Sequence, residues 1–154
     1  MRMTQLTIPA VLTAAIGLTI CGIPTASATA NVAALGGTQQ IQSGGVTIAY
    51  TVEDLEPADD AITNAEVKGQ LWEASVTVRA VDGSVTPVIP FFNTRAADGT
   101  NYRVLFTAVG EEALSGATLS QGQEAEGNVY FDVTGPAPTQ VVYNDGVADL
   151  LIWQ

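Results

Sequence analysis

Gly69-Gln70-Leu71-Trp72-Glu73-Ala74-Ser75-Val76-Thr77-Val78-Arg79-Ala80-Val81 is the stretch that decides the fold of this chain. Trp72, Ala74, Val76, Val78 and Ala80 alternate with Leu71, Glu73, Ser75, Thr77 and Arg79. A period of two puts the first set on one face of an extended strand and the second set on the other. Helical spacing would scatter the charged residues around a cylinder. The stretch therefore predicts a long strand with one buried face, on which Trp72 packs between two sheets with Ala74, Val76 and Val78.

Similar signals continue on both sides. Upstream, Asn31–Ser43 reads as a first strand or a loose arm, broken at Gly36-Gly37. Val46–Val52 is β-branched and aromatic, bounded by Gly44-Gly45 and Glu53-Asp54, and predicts a strand. Glu53–Asn64, acidic and containing Pro57, reads as a loop. Downstream, Asp82-Gly83, Pro87 and Pro90 end the long strand. Phe91–Ala96 and Thr100–Ala108 then flank Asp98-Gly99, a hairpin signal. With a two-residue turn Ala97 pairs with Thr100, and Arg95 lies opposite Tyr102 as a cation over a ring, worth about 0.5–1 kcal/mol. A bulged turn would shift that register by one. Gly110–Gly127 is loop-like, with a turn near Glu111–Leu114. Asn128–Thr134 alternates again and stops at Gly135-Pro136-Ala137-Pro138, and Thr139–Tyr143 and Val147–Trp153 flank Asn144-Asp145-Gly146. Seven or eight short strands and no helix predict an all-β, immunoglobulin-like antiparallel β-sandwich.

Residues 1–30 read as a cleaved secretory signal peptide. Arg2 precedes the apolar run Ile8–Ile20, which is too short to span a bilayer, and Ala26-Ser27-Ala28 and Ala28-Thr29-Ala30 offer small-x-small cleavage sites. Residues 31–154 are then one secreted, extracellular domain. Cys21, the only cysteine, lies in the signal behind Leu18-Thr19-Ile20, where lipid attachment would want a small residue, so the sandwich is disulfide-free. Beyond residue 30 the cations are Lys68, Arg79, Arg95 and Arg103 against sixteen Asp and Glu, a net charge near −12. Such a balance disfavours nucleic acid and anionic membrane surfaces, and no membrane insertion is expected.

The chain contains no histidine. Without His or a mature Cys, Ser-His-Asp and Cys-His catalysis and His- or Cys-based zinc sites are excluded for a single mature chain. Carboxylate pairs arise by accident among sixteen acids. Asp132-x-Thr-Gly follows a β-rich run, which makes Asp132 a strand residue. Glu53, Asp54, Glu56, Asp59 and Asp60 lack the spacing and turn glycine of a calcium loop and read as solvated, with Leu55 a packing anchor. No catalytic, cofactor-binding or metal residue is predicted. Phe91, Phe92 and Phe106 are the candidates for an exposed recognition surface, set against cover by a loop or by the second sheet. Trp153, like Trp72, reads as core.

Gly69–Ala74, Gly83-Ser84-Val85-Thr86-Pro87, Phe92–Arg95, Ala97–Leu105, Ser115–Thr118, Tyr130–Pro136 and Asp149–Trp153 together resemble, in one collinear order, the small immunogenic extracellular proteins that mycobacteria release into their medium. The resemblance covers roughly residues 35–153. It implies a secreted monomer with an immunoglobulin-like sandwich that the host immune system recognises, and it implies no catalytic residues. Glu53–Asp60 is more acidic than the family pattern. Two functions follow as expectations. One is a non-enzymatic binding module directed at a host or cell-surface protein. The alternative is a structural or envelope-associated protein without a soluble ligand.

Overall fold

The computed structural model describes residues 29–154. The apolar run Ile8–Ile20 and Cys21, read above as part of a signal peptide, lie outside the described residues. Nine strands follow in order: β1 (Asn31–Ala33), β2 (Thr38–Ser43), β3 (Val46–Pro57), β4 (Gln70–Asp82), β5 (Phe92–Ala96), β6 (Asn101–Arg103), β7 (Glu124–Val133), β8 (Pro138–Asn144) and β9 (Asp149–Trp153). They form a five-stranded sheet, β1-β9-β8-β5-β6, and a four-stranded sheet, β2-β3-β4-β7. Every pairing is antiparallel except β1 with β9, where the short N-terminal strand closes the edge in parallel. The expected all-β sandwich is observed. It is built without an α-helix among the described residues and without a cysteine between residues 29 and 154.

The alternation in β4 does what its period requires. Ala74, Val76, Val78 and Ala80 are wholly buried against the opposite sheet, while Glu73, Ser75 and Thr77 face outward. Trp72 lies on the predicted face but near the start of the strand and is only half-buried, so it does not anchor the core. Trp153 does. It is wholly buried, and its indole N–H donates to Gly37 O at 2.7 Å, which removes the cost of an unpaired donor in an apolar site. The sheets are also joined by Tyr50 and Tyr143, whose hydroxyls meet at 3.0 Å, and by Phe92, edge-on to both rings. Burial raises the pKa of both phenols, so each stays protonated and available to the shared hydrogen bond.

Two expectations are corrected. The β5–β6 hairpin does not close through a two-residue turn: Gly99 N–H donates to Ala96 O, and Gly99 alone has positive φ, +90°. This is a turn followed by a glycine bulge, so Thr94 pairs with Tyr102 and Arg95 with Asn101. The slip removes the Arg95–Tyr102 contact. Tyr102 turns inward and donates to Pro136 O, and Arg95 turns outward. β6 is also shorter than expected, because the chain after Arg103 crosses to the other sheet, where Val104 bridges Phe131 and Leu105 N–H donates to Tyr130 O. The second correction concerns Glu53–Pro57, which is not loop but the far half of β3. An irregularity between Val52 and Leu55 takes up Glu53 and Asp54, and Leu55, Glu56 and Pro57 pair with Ala74, Glu73 and Trp72. A strand with one wet face carries charge there at no cost to its ladder.

Candidate functional site

The three phenylalanines do not form one surface. Phe92 is wholly buried in the core, Phe91 is half-buried with its ring edge-on to Tyr143 at 5.6 Å, and Phe106 stands out at 65% exposure. Phe91 ends a 3₁₀ turn, Ile89–Phe91, and Phe92 opens β5 facing the core, which separates the first two, and the crossover after β6 carries the third towards the opposite sheet. Phe91 borders a cavity together with polar residues from several elements, whereas Phe106 borders a smaller one whose polar residues, Asn128 and Tyr130, come from β7 alone.

The acidic residues divide in a similar way. Glu53, Asp54, Glu56 and Asp59 are exposed, whereas Asp60 accepts the Tyr130 hydroxyl at 2.9 Å. Asp60 and Glu56 thereby crowd Glu73. Desolvation first, then the negative charges of Asp60 and Glu56, raise the Glu73 carboxyl above the ordinary carboxylate range, and its Oε2 is buried without a hydrogen-bond partner. Among the described residues no group of three or more acids is placed to hold a metal ion. Asp132 accepts the backbone N–H groups of Lys68 and Gly69 with its two oxygens, pinning the turn into β4.

The strongest constellation lies on the outer face of the five-stranded sheet. There a cleft of about 340 Å³ is lined by Phe91, Asn93, Arg95, Asn101, Arg103 and Asn144. Asn93 and Arg95 come from β5, Asn101 and Arg103 from β6, and Asn144 from the end of β8. The glycine bulge sets this face, because a one-residue change of register swaps every side chain of a strand across the sheet. Arg95 reaches over β8 to Asp149 on β9 with two hydrogen bonds, of 3.0 and 3.3 Å. These bonds hold the Asp149 carboxyl below its ordinary range. Asn144 donates to the same carboxylate at 2.6 Å, Asn101 to Asn93 Oδ1 at 3.3 Å, and Asn93 to Phe91 O at 3.1 Å. The Arg95–Asp149 pair is the one ion pair among the described residues, so Arg103, exposed at the sheet edge, has no carboxylate partner.

A family model described as a domain of unknown function, DUF1942, matches residues 30–153. The chain belongs to that family. Within 111 residues it is 51% identical to immunogenic protein MPB63 of Mycobacterium bovis and equally to immunogenic protein MPT63 of Mycobacterium tuberculosis, covering 72% of this chain and 70% of each relative. The crystal structure of the secreted protein MPT63 from Mycobacterium tuberculosis superposes with a TM-score of 0.80 at 47% identity, over 83% of this chain and 99% of that one. The mycobacterial resemblance read from the sequence is thus established. The relatives are named as immunogenic or secreted proteins rather than as enzymes. Among the described residues no helix is long and apolar enough to cross a membrane.

In this DUF1942 chain the cleft offers recognition chemistry. Each Asn amide has two N–H donors and two acceptor lone pairs, and the network above uses only part of them. Arg103 adds a planar fork of donors with its charge unspent. Sequence reasoning missed these residues because the two-residue turn put Arg95 and Arg103 on opposite faces. The signal was present all the same. Two of the four cations beyond residue 30 flank one Asp-Gly turn, each two residues from an asparagine.

Proposed function

We propose that this protein is a secreted, non-enzymatic binding module that meets a molecule carried on a host or cell surface with the outer face of its five-stranded sheet. The observation that carries the reading is the cleft at β5, β6 and β8. In a chain of net charge −11, this face combines an unpaired arginine, a row of asparagines and the edge of an aromatic ring. A rigid sheet positions such groups better than a mobile loop, since their backbone is fixed by the ladder and their side chains by Asp149 and Asn93. Export through a signal peptide cleaved after Ala28 or Ala30 belongs to the same reading and is supported by the secreted relative.

Affinity capture from host and bacterial surface extracts tests it, with the purified protein and its Arg103→Glu variant as baits. Arg103 is exposed and unpaired, so the charge reversal leaves the core intact. A partner retained by the protein and lost on the variant is the expected result. Equal retention by both baits would remove the cleft from the function. Recovery of the native protein mainly in the envelope fraction, with nothing captured, would favour a structural role.

A further inference from the structure

The acidic cluster around Glu73, the exposed Phe106 and the Arg/Asn cleft are three features of this fold that the core does not explain. The first is a crowd of carboxylates with no metal-ligating group of three among the described residues, and the second is a single apolar side chain. The cleft has a composition that selects its ligand.

Resting on the reading of this face as the binding surface, we propose that the cleft between β5, β6 and the β8–β9 turn is a site for an acidic saccharide, a sugar ring bearing a carboxylate. A sugar hydroxyl is at once a donor and an acceptor, and the side chain that answers both is a primary amide. Three such amides, Asn93, Asn101 and Asn144, line one cleft. Asn93 and Asn101 are already hydrogen-bonded to each other at 3.3 Å, and Asn144 is tied to Asp149, so they are oriented before a ligand arrives. Pre-set side chains lose little freedom on binding.

The charges narrow the choice further. Arg95 is neutralised by Asp149 through two hydrogen bonds and acts as scaffold, holding Asp149 where it orients Asn144. Arg103 is left to meet one negative group, and its planar fork fits a carboxylate with two parallel N–H···O bonds. A single unpaired cation beside three amides suits a ligand with many hydroxyls and one charge per ring. It suits a densely charged polyphosphate poorly, because the surrounding protein carries strong negative charge. Phe91, half-buried against Tyr143, supplies the apolar part of the cleft lining, against which C–H groups of a sugar ring can pack. At about 340 Å³ the cleft is at the small end of ligand sites, room for one or two sugar rings.

Titration followed by nitrogen-edited NMR of the purified protein tests this, with the methyl glycoside of glucuronic acid, the matching neutral methyl glucoside and inorganic polyphosphate as probes. Expected is saturable movement of the side-chain amides of Asn93, Asn101 and Asn144 by the uronate. Its affinity should fall about tenfold or more in Arg103→Gln, and several-fold in Asn101→Ala, but stay unchanged in Lys68→Gln, which removes the same charge elsewhere. The neutral sugar should bind the same amides about tenfold more weakly, and added salt should close that gap. Equal binding of neutral and acidic sugars, preferential binding of polyphosphate, or indifference to Arg103→Gln would each overturn the acidic-saccharide assignment. A surface partner that is still lost on Arg103→Glu in the capture experiment would then show that the face binds something else. Failure of both experiments would remove the face as well.

Discussion

Two tryptophans separate what a residue's identity implies from what its position decides. Trp72 heads the most regular alternation in the chain, yet it is half-buried and its indole N–H is shielded from water without an acceptor. Trp153, at the last position of β9, is wholly enclosed and hydrogen-bonded. Trp153→Ala should therefore cost about 3–5 kcal/mol in urea melts, against about 1–2 kcal/mol for Trp72→Ala. Trp72→Phe, which deletes the unpaired donor, should be close to neutral. Sequence alone gave Trp72 the correct face. It could not rank the two tryptophans, because depth in a core depends on what lies opposite, and that is set by the other sheet.

The acids make opposite contributions with pH. The raised Glu73 carboxyl favours the folded state below its ordinary titration range, and that advantage is lost as pH rises through its folded pKa. Asp149, held low by Arg95 and Asn144, contributes above the ordinary range, and its contribution is lost as pH falls through its folded pKa. Thermal melts across a pH series should show Glu73→Gln raising Tm at pH 7, with the gain vanishing as pH falls below the ordinary carboxylate range. Asp149→Asn should lower Tm at pH 7 and converge with the parent under acid.

At the scale of elements, the strands were legible and their joints were not. Period-two alternation and β-branched residues mark β3, β4 and β7, but the acidic half of β3 has no such mark: a strand with one wet face can carry Glu53, Asp54 and Glu56. The β5–β6 register turned on one residue, because Asp-Gly serves both the two-residue turn and the bulged one. The cleft was hidden by that slip, since its residues come from three strands and a turn that only pairing brings together. The joints also make testable demands. A Cβ on Gly127 in β7 would lie 2.6 Å from Leu114 Cα, where the Glu111–Leu114 turn crosses the strand. Gly127→Ala should destabilise by about 2 kcal/mol or more. Gly122→Ala, with open space around its Cβ and only a positive φ of +82° to resist it, should cost about 1 kcal/mol. Parallel urea melts of the two variants separate backbone crowding from backbone strain.

For the whole molecule, charge is the dominant property beside the fold. The acidic residues of β3 and the following segment include no metal-ligating group of three among the described residues, and the expectation is that exposed Glu53, Asp54 and Asp59 act as a screened surface. Millimolar calcium should raise Tm no more than sodium at matched ionic strength. Asp54→Asn, Asp59→Asn and Asp60→Asn combined should leave the calcium increment unchanged, whereas a real site would add about 2.7 kcal/mol at a hundredfold excess over its dissociation constant.

Against that acidic background, the Arg/Asn face is the binding surface proposed above. Hydrogen exchange of the protein, free and bound to its captured surface partner, locates the interface directly. Slowed exchange is predicted in the β5–β6 hairpin, residues 92–103, and in the β8–β9 turn from Asn144 to Asp149, with the outer face of β4 and β7 unchanged. Protection confined to the four-stranded sheet, with residues 92–103 exchanging as in the free protein, would contradict the account.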